Sequence, residues 1–299
     1  MDQFNVYKDM KARTNGEIYI GVVGPVRTGK STFIKRFMNL MVLPNIEDEN
    51  DRNRANDELP QSSSGKTIMT TEPKFVPNEA VSIKTEEGIE LNVRLIDCVG
   101  YMVEGATGHM EGEEERLVKT PWFDYEIPFT KAAAIGTKKV ITEHSTIGVV
   151  VTCDGSFGEI AAKQYEPAEE ETIKQLKALK KPFVVLLNTI HPYSESTKQL
   201  AAEKEEKYQT KVLPMNLEQM KKEDIYEIIK SVLMEFPISS IGFYVPRWTE
   251  MLKKDHPLKM ELLQMARDVI TEKTTMRDIY EEQEKEYEYI TGQKLESVA

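Results

Sequence analysis

The stretch Gly24-Pro25-Val26-Arg27-Thr28-Gly29-Lys30-Ser31 decides how this chain is read. The apolar run Ile18-Tyr19-Ile20-Gly21-Val22-Val23 precedes it and Thr32-Phe33-Ile34-Lys35-Arg36-Phe37-Met38 follows. A strand, a glycine-bounded loop and a helix therefore stand in succession. The spacing is G-x-x-x-x-G-K-[ST], that of a Walker A phosphate-binding loop. Each residue type has a chemical reason to be there. Gly24 and Gly29 let backbone N–H groups turn inward around a phosphate, and the helix N-terminus adds positive potential. Lys30 places a mobile charge on the β- and γ-phosphates, and the Ser31 hydroxyl can enter a Mg²⁺ shell. Arg27, Thr28 and Thr32 complete the candidate phosphate-binding set. Arg27 either supports charge on the transferring group or projects to solvent.

A phosphate loop needs a carboxylate at a strand end to hold the metal. Val93-Arg94-Leu95-Ile96-Asp97-Cys98-Val99-Gly100 supplies one. Asp97 ends an apolar strand, and Gly100 completes Asp-x-x-Gly, whose glycine N–H can contact a γ-phosphate and sense its loss. Between the two motifs lies Lys66-Thr67-Ile68-Met69-Thr70-Thr71-Glu72-Pro73. Thr70 or Thr71 is the candidate metal-ligating and γ-phosphate-sensing hydroxyl, and an ordered–disordered switch would follow hydrolysis. GTPases of this topology read guanine with Asn-Lys-x-Asp after the fifth strand. Here the run is Leu186-Leu187-Asn188-Thr189-Ile190-His191, which keeps Asn188 and replaces the Lys and Asp by Thr189 and His191. Losing a hydrogen-bonding partner for the base costs selectivity heavily, so ATP is expected over GTP. Tyr101 stands where some related enzymes place a water-orienting glutamine. The expected chemistry is in-line attack of water, with Lys30 and Mg²⁺ neutralising developing charge. Two other classes compete: a GTPase switch, and a nucleotide-binding module without turnover.

The 299 residues carry a formal net charge of −11 and have a pI near 5.1. That balance argues against a nucleic-acid surface and against simple electrostatic docking to anionic lipid. No apolar run of the length needed to span a bilayer is present, and no direct membrane insertion is expected. The N-terminus lacks a signal peptide's apolar region, so the expected setting is soluble and cytoplasmic. Cys98 and Cys153 end apolar runs and read as buried free thiols in a reducing compartment.

Apolar β-branched runs alternate with helical segments, the pattern of a largely parallel α/β sheet with helices on both faces. Strands are expected near 18–24, 81–86, 91–98, 146–153, 183–190 and 211–216, and helices over 30–42, 131–144, 167–180, 196–206 and 222–235. The runs at 146–152 and 183–187 lack alternation and read as central strands. The strands at 81–86 and 91–96 read as a hairpin, which makes one strand antiparallel. The tract between Asn45 and Gly65 reads as a mobile loop, 101–130 as a long connection, and the acidic run from Glu111 to Glu115 as solvated. Pro237, Pro246 and Pro257 mark a change of character. The expected division is a P-loop domain over 1–237 and an accessory helical segment over 238–299, the start of a following domain.

Several of these stretches together resemble stage IV sporulation protein A. They are the loop from Gly24 to Ser31, Asp57-Glu58-Leu59-Pro60-Gln61-Ser62, the run from Lys66 to Pro77, and Leu95-Ile96-Asp97-Cys98-Val99-Gly100-Tyr101. Glu143-His144-Ser145-Thr146-Ile147-Gly148-Val149-Val150 and Lys181-Pro182-Phe183 extend the likeness to about residue 240. That family is a spore-coat morphogenetic ATPase with the fold of translation-factor-type GTPases. The resemblance implies that ATP hydrolysis drives self-association into a polymer, the coat's basement layer around the forespore, on its mother-cell side. It carries over Lys30 as the Walker A lysine, Asp97 as the Walker B carboxylate, and Thr70 and Thr71 as sensor threonines. Family members are longer, and this chain resembles their N-terminal part. Their C-terminal part is what meets a small amphipathic membrane-bound spore protein and other coat proteins.

Overall fold

The run from Ile18 to Val23 contains no charged residue, and the chain uses it as a strand covered on both sides. In the computed structural model, which describes residues 16–60, 72–84, 90–112, 114–158, 160–238 and 241–280, this is β1 (Glu17–Val23). It leads through the glycine loop into α1 (Lys30–Phe37), which continues as a wide helical turn over Met38–Val42. Then come α2 (Glu49–Asp57), β2 (Lys74–Lys84) and β3 (Glu90–Asp97). Two small hairpins follow, β4 (Met110–Glu111) with β5 (Glu114–Glu115) and β6 (Leu117–Thr120) with β7 (Phe123–Pro128). The remainder alternates: α3 (Phe129–Lys139), β8 (Ile147–Cys153), α4 (Ala162–Ala178), β9 (Phe183–Asn188), α5 (Glu195–Tyr208), β10 (Val212–Met215) and α6 (Lys222–Met234). Past α6 lie α7 (Pro257–Glu272) and α8 (Met276–Tyr280).

The main sheet has six strands in the order β10-β9-β8-β1-β3-β2. All neighbours run parallel except β2, which pairs antiparallel to β3 with Ser82 opposite Asn92. This is the mixed, mostly parallel sheet expected. Alternate residues of the central strands feed two cores. Ile18, Ile20 and Val22 join Val149, Val184 and Leu186 on one face, beneath Phe33 and Phe37 of α1 and Ile225 and Ile229 of α6. Val23, Val150, Val185 and Leu187 turn to the other face, against Ile173 and Leu176 of α4 and Ala201 of α5. Burial on both faces is why these runs carry no polar alternation.

Three segments differ from the expectations. Strand β2 begins at Lys74 rather than near residue 81: Pro77 and an irregularity between Val76 and Val81 break the alternation that marks a strand in sequence and hide its first half. The tract read as a loop after Asn45 contains α2, whose only buried residue is Ala55. Its start is fixed by the Asp48 carboxylate, which accepts from the N–H groups of Asn50 and Asp51 at 2.9 Å each. With no apolar stripe, such a helix leaves no periodic signal. The connection at 101–130 holds the β6–β7 hairpin, on which Leu117 and Tyr125 are exposed. Within its acidic run, Glu115 is not merely solvated: it accepts from the Thr130 N–H at 2.8 Å and from its hydroxyl, capping the first turn of α3.

Candidate nucleotide-binding site

At the C-terminal end of β1 the backbone enters conformations that only glycine tolerates well. Gly24 has φ +127°, and a Cβ there would lie 2.5 Å from the Val151 carbonyl. Gly29, in the N-cap position just before α1, has φ +100°, and a Cβ on it would meet the Asn188 amide nitrogen at 2.5 Å. Lys30 is buried beneath this loop, donating to the Pro25 carbonyl at 2.5 Å and the Gly24 carbonyl at 3.4 Å. Desolvation holds its ammonium below the usual lysine range, against the pull of Cys98 and Asp97. Thr28 is buried and donates to the Pro25 carbonyl at 3.0 Å, bracing the loop. Arg27 (φ +61°) reaches across to Thr107, with Nη2 3.2 Å from the hydroxyl and 3.4 Å from the carbonyl. Thr32 sits half-buried on α1, one residue after Ser31.

Strand β3 runs parallel to β1 and pairs Asp97 with Val22, which delivers the carboxylate to the start of α1. The Ser31 hydroxyl donates to Asp97 Oδ2 at 3.3 Å. Asp97 Oδ1 is buried with no hydrogen-bond partner among the described residues. Burial pushes the carboxyl up to about 6, with Lys30 and Ser31 working against that rise. Cys98, buried and donating to the Val22 carbonyl at 3.4 Å, is pushed up to about 11 by desolvation. A serine hydroxyl beside a carboxylate with one unsatisfied oxygen fits a hard cation. Among the described residues no three His, Cys, Asp or Glu side chains converge as a metal set.

The Asp-x-x-Gly turn is stitched directly to the phosphate loop. Tyr101 N–H donates to the Gly24 carbonyl at 3.2 Å, and Val26 N–H to the Tyr101 carbonyl at 2.9 Å. Gly100 has φ +95°, and a Cβ on it would lie 2.2 Å from the Gly24 carbonyl and 2.6 Å from Lys30 Nζ. Its N–H donates to the buried Thr137 hydroxyl of α3 at 3.2 Å. The Tyr101 phenol is spent on Gln175 of α4 at 2.8 Å, and burial pushes it up to about 12.

Asn188 ends β9 and spends its amide on protein. Its Nδ2 donates to the Thr28 carbonyl at 3.0 Å, and its Oδ1 accepts from the Leu217 N–H at 3.2 Å. It thereby ties the phosphate loop to the turn after β10. Thr189 is buried, and its hydroxyl accepts from the His191 N–H at 3.1 Å, which leaves Ile190 and His191 exposed. Thr70 and Thr71 lie outside the described residues. Gly24, Gly29, Lys30, Ser31, Asp97, Gly100 and Asn188 therefore gather at the C-terminal end of the parallel strands. Thr137, Gln175 and Leu217 join them without any sequence motif to announce them. Each lies far along the chain from its partner, so only the folded arrangement reveals them.

Residues 1–237 match the model of the stage IV sporulation protein A ATPase domain, and residues 238–299 that of the same protein's middle domain. Stage IV sporulation protein A of Clostridioides difficile (strain 630) is 54% identical over 275 residues, covering 92% of this chain and 56% of that protein. The proteins of that name from Bacillus anthracis and Bacillus subtilis (strain 168) are 49% and 48% identical, each over 93% of this chain and 57% of theirs. The chain thus spans somewhat over half the length of the curated relatives it matches. Among solved structures, a GTP-binding protein from the hyperthermophilic archaeon Sulfolobus solfataricus in complex with GDP covers 76% of this chain and 55% of its own. Its identity is 14% and its TM-score 0.41, too loose a likeness to build on. By its matched domains and its relatives, the chain belongs to the stage IV sporulation protein A family.

Proposed function

We propose that this chain binds ATP with Mg²⁺ and hydrolyses it, and that hydrolysis drives a change of shape leading to self-assembly into the basement layer of the spore coat. The observation that carries the reading is the Ser31–Asp97 pair, 3.3 Å apart, with Asp97 Oδ1 buried and unsatisfied among the described residues, beside the buried Lys30. In this reading Lys30 and the loop N–H groups would hold the β- and γ-phosphates, and Ser31 and Asp97 would hold the metal. Thr70 or Thr71 supplies the third contact. When bound, Mg²⁺ withdraws charge from the transferring phosphoryl group. Preference for ATP over GTP is supported by Thr189 and His191 at the positions where a guanine reader carries Lys and Asp.

The family match supports a sporulation role, with residues 1–237 as the ATPase unit and 238–299 as the start of a following helical unit. Work at the mother-cell face of the forespore, with a small amphipathic membrane-bound protein and other coat proteins as partners, belongs to the same proposal. Among the described residues no helix is long and apolar enough to cross a membrane. A second reading, nucleotide binding without turnover, is favoured by one feature: the Tyr101 phenol, which stands where some related enzymes carry a water-orienting glutamine, is already engaged by Gln175.

Competition by ATP and GTP for a fluorescent nucleotide, followed by phosphate release from wild type and Lys30→Ala, separates the readings. ATP preference and release lost in Lys30→Ala are expected. GTP preference would end the ATPase reading, and binding without release would favour the second.

A further inference from the structure

Gly100 N–H is a single donor with two possible acceptors. In this structure it is taken by Thr137 Oγ1 at 3.2 Å, in a place where both residues are buried. Thr137 lies on α3, and its hydroxyl proton is already committed to the Ala133 carbonyl one turn back, at 2.8 Å. The oxygen therefore has only acceptor capacity to offer, and it offers it to Gly100. Packing alone does not call for a hydroxyl here. A buried N–H left without an acceptor is costly, and Thr137 is what satisfies this one.

Gly100 also lies against the phosphate loop, so close that a Cβ would overlap the Gly24 carbonyl and Lys30 Nζ at 2.2 and 2.6 Å. A γ-phosphate held by that loop would present oxygens to the same small region. One N–H cannot serve Thr137 and a phosphate oxygen at full strength. We propose that Thr137 is a positioning residue for nucleotide discrimination: its hydroxyl holds the Gly100 N–H when no γ-phosphate is present and competes with that phosphate for it. This inference rests on the nucleotide reading above. The hydrogen bond to Thr137 opposes ATP and leaves ADP untouched, because only ATP asks for the N–H. A ligand shifts an equilibrium only by its differential interaction with the two states, and this bond is such a difference.

The link also gives α3 a stake in the nucleotide state. Release of Gly100 removes a contact near the C-terminal end of α3, while Glu115 holds the N-terminal end to the hairpin region at 2.8 Å.

The test compares binding of ADP and a non-hydrolysable ATP analogue, both with Mg²⁺, to wild type, Thr137→Val, Thr137→Ala and Thr137→Ser. The Val and Ala variants lose the acceptor and are expected to bind the ATP analogue about five- to tenfold more tightly, the weight of one ordinary hydrogen bond. ADP affinity stays within about twofold, and Thr137→Ser behaves as wild type in both. The Ala variant keeps the test open if the extra methyl of Val disturbs folding. An unchanged ratio of the two affinities in both hydroxyl-less variants overturns the proposal, as does equal weakening of both nucleotides, the mark of a merely structural residue. If wild type binds neither nucleotide, the nucleotide reading falls and takes this inference with it. If wild type binds both and the ratio does not move, this inference alone falls.

Discussion

Asp97 is the residue at which folding and function pull apart. One of its oxygens accepts from Ser31, the other is buried with no partner among the described residues, and the surroundings raise its carboxyl from 3.8 to about 6. A carboxylate kept in that state at neutral pH disfavours the ligand-free fold. Asp97→Asn removes the charge at nearly constant shape, so the ligand-free variant should be more stable than wild type at pH 7 by about 1–3 kcal/mol. The difference should shrink in acid. Because the folded-state value lies above that of an exposed aspartate, the folded wild type takes up the proton first and gains stability as pH falls from about 6 toward 3.8. Urea denaturation at pH 7 and pH 4.5 measures both points, and a variant less stable than wild type at pH 7 contradicts the assignment. In its proposed metal-holding role, Asp97 weakening its own fold is the expected form of a stability–function trade.

At the scale of elements, α3 and the hairpin before it behave as one piece. Glu115 caps the first turn of α3, Phe129 N–H donates to the Arg116 carbonyl at 2.9 Å, and the Arg116 guanidinium lies 4.5 Å from the Phe129 ring centroid. Glu115→Ala should cost about 1 kcal/mol, the ordinary value of a lost cap, read by thermal or urea denaturation. The Thr130 hydroxyl and N–H hold the Glu115 carboxyl below its usual range. Its contribution is therefore full above that usual range and is lost as pH falls through the lowered value. A variant as stable as wild type at pH 7 would show that the cap is idle. The elements that sequence alone reveals are those whose burial leaves a pattern. Ile147 to Cys153 and Phe183 to Asn188 are covered on both faces and read as central strands, and the strand–loop–helix around Gly24 to Ser31 is local chemistry. Strand β2 is masked at its start by Pro77, and α2 buries only Ala55. The site divides the same way. The Lys30, Ser31, Asp97 and Gly100 motifs are contiguous text. Thr137 meets Gly100 across 37 positions, Leu217 meets Asn188 across 29, and Asn188 meets Thr28 across 160, and no local periodicity encodes such pairings.

Across the whole molecule, the segment beyond α6 returns to the sheet domain by a short strap. Ile238 N–H donates to the Thr274 carbonyl and Met276 N–H to the Phe236 carbonyl, each at 3.0 Å, while Arg277 pairs with Glu235 at 3.3 Å. Met276 is 1% exposed at the centre of this junction, whereas Tyr244 and Met251, on the stretch that leads into α7, are 88% and 89% exposed. A charge at the buried position should release the strap without reaching the phosphate loop. Met276→Asp is expected to speed proteolytic cleavage between residues 241 and 256 about tenfold or more while nucleotide affinity stays within about twofold. Cleavage at the wild-type rate would mean that Met276 does not hold the two parts together. What unites the scales is the meeting of Lys30, Ser31 and Asp97 at the head of β1 and β3, where a metal-bound triphosphate is proposed to sit. Calorimetric titration of a non-hydrolysable ATP analogue, with and without Mg²⁺, into wild type and Asp97→Ala tests that most directly. Mg²⁺ should strengthen binding about tenfold or more in wild type and leave the variant nearly unchanged. An equal response to Mg²⁺ in the two proteins would contradict the account.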